Sequence, residues 1–226
     1  MIITGDSVAE CWLEVLKVFV YERRSEISPI ILRINNTDNQ PDYVAELEQE
    51  INEFLVEQGQ SKIETTAGTI FPKSLAHGKK SVFDRYERIW KYIKANSLNR
   101  RGTYFHRLVA YGDEERGTKN QLKHIIETYN GIEGVRNPVH RRSALIATVF
   151  DPFLDHKAQS MLGFPCLQQV CFIPDKEGNY TGLMRLGNFM AGEMGLSFNY
   201  MNCMISALAL SSMRKSKAKE IVEKFS

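Results

Sequence analysis

Two hydrophobic patterns alternate along the chain, and this alternation limits the possible folds more than any other feature of the sequence. Apolar side chains at helical spacing predict helices over residues 8–21, 42–58, 82–95 and 118–129, with another ending near residue 194 and a short basic helix at the end of the sequence. Short β-branched and aromatic runs predict strands over residues 1–3, 30–34, 103–111, 143–150 and 198–210. No internal repeat or linker interrupts the pattern. We therefore expect a single α+β domain over residues 1–226.

Composition and charge argue against several classes of protein. The 226 residues carry a net charge of +2, which is too small to make nucleic acid the expected main partner. No apolar run reaches the length of a membrane span, and the N-terminus lacks a signal-peptide pattern. The four cysteines show no CxxC or Cys/His spacing, so no zinc site is expected. Without a secretory context they are expected to be reduced thiols in a cytoplasmic protein.

One cysteine occupies a position that suits chemistry. Pro165 precedes Cys166 and an apolar run that predicts a buried strand, and proline favours the first position of a strand because it has no backbone donor. Cys166 would then lie where a loop enters a sheet, facing a cleft. A thiol there is a nucleophile if a nearby cation lowers its pKa. The simpler interpretation is a small core side chain, as most free cysteines are.

An arginine pair begins the predicted strand over residues 143–150. Arg141 and Arg142 are adjacent, so in an extended chain their side chains point to opposite sides. One guanidinium group would stay with its own subunit while the other reaches a second molecule. A solvated basic pair is the alternative interpretation.

Two polar stretches are expected outside regular structure. Residues 65–69 contain only small side chains, and their backbone amides would suit a phosphate, although an ordinary turn is the simpler interpretation. Residues 175–179 are expected to form a polar turn before the helix that ends near residue 194.

Several of these pieces occur in an order that resembles the thymidylate synthase family. They are the segment Asn120-Gln121-Leu122, the pair Arg141-Arg142, a strand ending at Asp151-Pro152, and Pro165-Cys166. The N-terminal segment GDSVAECWLEVL is similar to that of the shorter, archaeal-type members. The resemblance covers roughly residues 103–196. It implies a mixed sheet covered by helices that dimerises through the sheet, a pyrimidine nucleotide substrate, and 5,10-methylenetetrahydrofolate as the one-carbon donor.

The resemblance also implies residue roles. Cys166 would be the thiolate that adds to C6 of the pyrimidine, which makes C5 nucleophilic. Arg141 and Arg142 would bind the nucleotide phosphate across a homodimer interface. Asn179 matches the asparagine that reads the base, while a competing alignment uses Asn199. Tyr104 matches a tyrosine near the nucleophile. The implied reaction is dUMP methylation or nucleotide hydroxymethylation.

The chain also departs from the family pattern. Leu167 follows the nucleophile where most members have histidine, and the positions of the family's His-x-Tyr motif hold Ala209 and Ser211. Only 13 positions separate Cys166 from Asn179, which leaves no room for a strand carrying the family's Arg-Ser-x-Asp motif. Recognition of the sugar and of folate is therefore weakened. The alternative function is a re-purposed thymidylate synthase-like protein that binds a nucleotide or a protein partner without folate chemistry.

Overall fold

The computed structural model shows a mixed helix-and-strand protein, as the hydrophobic patterns predict. It describes residues 1–36, 41–76, 81–96, 103–113, 117–131, 147, 177–205, 207–210 and 213–226. Contacts divide the chain into two compact units. Unit 1 contains Met1–Gly68, Val170–Met184 and Phe198–Ser226, and unit 2 contains Thr69–Gln169 and Arg185–Ser197. The single domain over residues 1–226 and its thymidylate synthase-like arrangement stay predictions.

Unit 1 is built on a small mixed sheet. Its elements are β1 (Ile2–Gly5), α1 (Val8–Tyr21), β2 (Glu26–Ile27), β3 (Ile30–Asn35), α2 (Tyr43–Glu57), most of α3 (Ile63–Ile70), the first half of α7 (Glu177–Glu193), β6 (Tyr200–Ile205), β7 (Leu208–Ala209) and α8 (Lys215–Phe225). β3 lies between β1, with which it is parallel, and β6, with which it is antiparallel. The parallel pair requires a crossover connection, which α1 supplies. β2 and β7 form a separate antiparallel pair.

Helix α1 has two buried sides because it packs between the sheet and two other helices. Cys11, Val15 and Phe19 face the core that the sheet lines. Other apolar residues of α1 pack against α2 and α8; they are Ala9, Leu13 and Leu16. Ser7 and Glu10 have the spacing of a capping box, which predicts a helix N-terminus, and the structure confirms the cap: the backbone N–H of Glu10 donates to Ser7 Oγ at 3.0 Å. The first helix is therefore fixed at its start by its own sequence and along its length by packing.

Unit 2 has an aromatic core. Its elements are a short 3₁₀ turn (Lys73–Leu75), α4 (Val82–Ala95), α5 (Tyr104–Val109), the hairpin β4 (Tyr111–Asp113) and β5 (Gly117–Lys119), α6 (Gln121–Asn130) and the second half of α7. The Phe105 ring lies at the centre, edge-on to Phe71 at 5.5 Å and to Tyr86 at 4.7 Å between ring centroids. Helix α6 ends at Gly131, whose φ of 68° is the left-handed conformation that favours glycine at a helix C-terminus.

Five predicted elements were wrong in type or extent. The helix predicted over residues 118–129 begins only at Gln121, because residues 118–119 pair with β4 as part of β5. Residues 104–109 of the predicted strand 103–111 form α5, because Thr103 Oγ1 caps the helix by accepting from His106 N–H at 3.2 Å. The predicted loop 65–69 lies inside α3, where Ile63, Ala67 and Ile70 are buried at helical spacing. The predicted strand 198–210 is two strands, β6 and β7, because they pair with different partners. The last three residues of the predicted turn 175–179 already belong to α7.

None of the described helices combines the length and the apolar character that crossing a bilayer requires.

Candidate functional site

Three of the five predicted site residues, Cys166, Arg141 and Arg142, lie outside the described residues. The other two, Asn179 and Tyr104, are described. Asn179 belongs to unit 1 and Tyr104 to unit 2.

Asn179 is a buried polar side chain with an unsatisfied acceptor. It lies in the first turn of α7, and only 3% of its surface is exposed. Tyr180, Leu183 and Met184 of the same helix pack into the core that the sheet lines, and this packing holds the first half of α7 in place. Within the described part of the chain, Asn179 Oδ1 has no hydrogen-bond partner. Native proteins rarely leave a buried amide oxygen unbonded, so this atom calls for a functional explanation.

The competing asparagine has a different environment. Asn199 is exposed and directly precedes β6. Its backbone carbonyl accepts from the backbone N–H of Asn36 at 2.8 Å, and the side-chain amide of Asn36 donates to the Phe198 carbonyl at 2.7 Å. These bonds attach the start of β6 to the end of β3. The environment of Asn199 is thus explained by the sheet, whereas that of Asn179 is not.

Tyr104 is the first residue of α5 and is half-buried. The residue before it, Thr103, is itself buried, and its hydroxyl lies 3.4 Å from Tyr86 Oη. The start of this helix is therefore rigidly held. The predicted strand over residues 103–111 is thus wrong for Tyr104, which has helical neighbours in α5.

His106, which no sequence pattern indicated as a site residue, lies in the same helix, α5. The His106 ring stacks on Trp90 with 3.6 Å between centroids and 10° between planes. Burial, and then the nearby Lys94 and Arg107, lower the pKa of His106 to about 4. Its Nδ1 atom is buried and without a partner among the described residues. His106 is therefore neutral at pH 7, and it packs as an aromatic ring. No spacing in the sequence indicates this stack, because its two members come from different helices.

The two described cysteines belong to the core. Cys11 and Cys203 are 1% and 9% exposed and lie in the same hydrophobic cluster. Burial, followed by the charge of Glu10, raises the pKa of Cys11 to about 12, so this thiol is not ionised at pH 7. The thiol of Cys11 also donates to the Arg33 carbonyl at 3.5 Å. Cys11 is therefore not a candidate nucleophile.

Polar side chains also gather where β1 and β3 end at the same edge of the sheet. The Asn35 amide donates to Asp6 Oδ1 at 2.7 Å, and Glu10 accepts from the Asp6 backbone N–H and from Tyr43 Oη. The chain approaches itself closely here, since a Cβ on Gly5 would lie 2.8 Å from Cys11 Sγ. Because these groups satisfy one another, the cluster fixes the connection from β1 to α1 and is not a candidate binding site.

Among the described residues, no three His, Cys, Asp or Glu side chains gather closely enough to hold a metal ion.

Comparisons with protein-family models, with curated proteins and with solved structures found no match for this chain.

Proposed function

We propose that this protein is a thymidylate synthase-like enzyme that transfers a one-carbon unit to C5 of a pyrimidine nucleotide. The reaction is dUMP methylation or nucleotide hydroxymethylation, with 5,10-methylenetetrahydrofolate as the donor of the carbon that bonds to C5. The observation that carries the proposal is the buried Oδ1 atom of Asn179, which has no hydrogen-bond partner among the described residues. No described side chain is assigned to the folate.

A pyrimidine base offers a hydrogen-bond donor to the Asn179 amide oxygen. Uracil presents a donor at N3 beside an acceptor at O4, and cytosine presents a donor at N4 beside an acceptor at N3. An asparagine amide can accept one hydrogen bond and donate another, so it can pair with either edge. Leaving a buried acceptor unpaired costs about 1–3 kcal/mol, and a bound base would remove this cost. The free protein would therefore bind the base with an amide that is already desolvated and in position.

Cys166 is the proposed nucleophile. Its thiolate would add to C6, and the electrons of the C5–C6 double bond would move onto C5 and the neighbouring carbonyl. Bound methylenetetrahydrofolate would supply the carbon for C5, released from its nitrogen, and for methylation it would also supply the two electrons that reduce this carbon to a methyl group. Loss of the C5 proton and departure of the Cys166 thiolate from C6 would then restore the double bond and the free thiol. Arg141 and Arg142 are proposed to bind the phosphate, with one contribution from each subunit of a homodimer.

The open face of the sheet in unit 1 supports a homodimer that forms through the sheet. The cross-strand register places Ile2, Ile31 and Met204 side by side in one row on the face opposite the core. Ile2 is 69% exposed and Met204 is 59% exposed. A row of apolar side chains across three strands is a surface that a partner commonly covers. We expect Met204→Lys to give a monomer in light scattering, whereas Val56→Lys, at an exposed valine of α2, should leave the dimer intact.

The nucleophile is tested by covalent trapping. The intact protein, incubated with methylenetetrahydrofolate and either 5-fluoro-dUMP or 5-fluoro-dCMP, should gain the mass of the nucleotide adduct in a denaturing mass spectrum. Cys166→Ala should abolish the adduct. Cys203→Ala, which removes a buried thiol of the sheet core, is the matched control and should retain it. An adduct that persists in Cys166→Ala would refute the proposed role.

The re-purposed protein is the second candidate. Ala209 favours it: this residue lies in β7 opposite Glu26, and a methyl side chain cannot hold a sugar hydroxyl as the family's motif does. This candidate predicts that dUMP or dCMP raises the melting temperature while methylenetetrahydrofolate is not consumed. Turnover with either nucleotide would exclude it.

A further inference from the structure

The outer face of α4 carries three cations and one aromatic ring. Arg88, Lys91 and Lys94 are exposed at intervals of three residues, and each interval corresponds to a rise of about 4.5 Å along a helix. Tyr92 lies beside them with 69% of its surface exposed. The Lys91 ammonium lies 4.9 Å from the centre of the Tyr92 ring. Charge and aromatic surface are therefore contiguous on one helix.

The small net charge of the whole chain does not reveal the concentration of positive charge around α4. Residues 79–101 contain eight Lys or Arg and two Asp or Glu, a net charge of +6. Since the whole chain carries +2, the remaining residues carry −4. A charge asymmetry of this kind within one chain indicates an interaction with a polyanion.

The cations of this face differ from lysines elsewhere in the carboxylates that the described part of the chain offers them. In α8, Lys217 and Lys224 lie 2.7 Å and 3.0 Å from Glu50 oxygens. Among the described residues, no carboxylate lies within 4.0 Å of the side-chain nitrogens of Arg88, Lys91 or Lys94. Arg85, the fourth cation of the helix, is excluded from this set because it donates to the Leu75 carbonyl at 2.6 Å.

We infer that this face of α4 binds single-stranded nucleic acid. The three cations contact successive backbone phosphates, and one base stacks on Tyr92, the combination by which proteins bind single strands without sequence preference. An anionic membrane is a poorer partner, because interfacial helices insert an apolar face. The apolar face of α4, which includes Tyr86, Ile89 and Trp90, is packed in the core of unit 2.

The test is fluorescence anisotropy with the full chain and labelled oligo(dT) or oligo(U). A length of about 20 nucleotides exceeds the roughly 4–16 that single-strand sites occupy. Three phosphate contacts predict a slope of log K against log salt near −2, so affinity should fall roughly 20-fold between about 50 and 200 mM salt. Comparing the two oligonucleotides shows whether DNA or RNA is preferred, and binding of either supports the inference.

Two sets of variants separate a specific face from overall charge. The triple variant Arg88→Gln, Lys91→Gln, Lys94→Gln should bring the salt slope close to zero. Its control, Lys123→Gln, Lys215→Gln, Lys219→Gln, removes the same charge from exposed lysines of α6 and α8 and should keep the slope.

Substitutions of the ring test stacking. Tyr92→Ala should weaken binding roughly tenfold, whereas Tyr92→Phe should not.

The inference is overturned by equal losses in the two triple variants, by tighter binding of a duplex than of a single strand, or by binding to phosphatidylserine vesicles but not to either oligonucleotide. It is independent of the proposed enzyme activity, since none of these residues is assigned to the reaction.

Discussion

Replacing Asn179 by leucine should make the protein more stable and at the same time insensitive to nucleotide. Leucine has the same branching as asparagine but is larger, and the site is 3% exposed, so the substitution exchanges a desolvated amide for a bulkier apolar group whose extra volume offsets part of the gain. Because Oδ1 is unbonded among the described residues, removing it recovers part of the 1–3 kcal/mol that a buried unpaired acceptor costs. We expect a net gain of about 1 kcal/mol in the free energy of unfolding.

For a chain of this length, that gain corresponds to a rise of about 2–4 °C in melting temperature. The wild-type protein should gain additional stability when dUMP or dCMP is added, because a ligand that binds only the folded state stabilises it. Asn179→Leu should show no further gain. Urea unfolding gives the first quantity, and thermal melts with and without nucleotide give the second.

Asn130→Leu is the matched control. Asn130 is exposed, and its amide donates to the Glu193 carbonyl at 2.9 Å, so this substitution should cost about 0.5–1.5 kcal/mol and leave the response to nucleotide unchanged. The reasoning fails if Asn179→Leu is less stable than wild type by more than about 1 kcal/mol. That result would mean that the amide is engaged within the free protein. It also fails if the variant still responds to nucleotide.

Three further predictions concern stability. Phe105→Ala should cost about 3–5 kcal/mol in urea unfolding, because the ring is fully buried between two aromatic rings, whereas the exposed Tyr92→Ala should change stability by less than about 0.5 kcal/mol. The folded-state pKa of His106, about 4, is below its ordinary value of 6.5, so the free energy of unfolding should fall as the pH drops from 6.5 to about 4. The expected loss is about 1 kcal/mol after solvent screening, and it should be absent in His106→Phe. Hydrogen bonds from Lys217 and then Lys224 lower the pKa of Glu50. The contribution of Glu50 to the free energy of unfolding, below about 1 kcal/mol, should therefore be present near neutral pH and lost in acid. Thermal melts of Glu50→Gln should lack this pH dependence. A wild-type acid profile identical to that of either variant would contradict the corresponding prediction.

The helices that the sequence predicted correctly are those whose ends are marked by their own residues. Ser7 caps α1, and Gly131 ends α6 in the left-handed conformation that favours glycine after a helix. Long amphipathic periods, as in α2 and α4, gave correct boundaries to within a residue or two. Local rules suffice where a segment is long and where its termini satisfy their own hydrogen bonds.

Short elements were mispredicted because tertiary contacts decide them. Tyr104–Val109 is aromatic and branched enough for a strand, yet Phe105 and Leu108 are buried together at a spacing of three and Thr103 provides the cap. The local sequence does not predict the break between β6 and β7 either, because these two strands pair with two different partners.

The sequence indicated the candidate site only through its resemblance to the thymidylate synthase family. Asn179 lies in a segment with weak helical amphipathicity, and nothing in its neighbours predicts that its oxygen is buried. The roles of Cys166, Arg141 and Arg142 stay predictions. The cationic face of α4 was missed for a different reason: a net charge summed over the whole chain averages away a local excess.

The central position of β3 has a consequence for synthesis on the ribosome. The end of β3 is tied to the start of β6 across 162 residues, so one edge of the central strand has no partner until the later segment emerges. At translation rates of about 5–20 residues per second, the nascent chain would expose that edge for roughly ten to thirty seconds. The Ile30–Asn35 strand is therefore a site where an incomplete chain is exposed to aggregation, and where a chaperone that holds extended apolar segments would be expected to act.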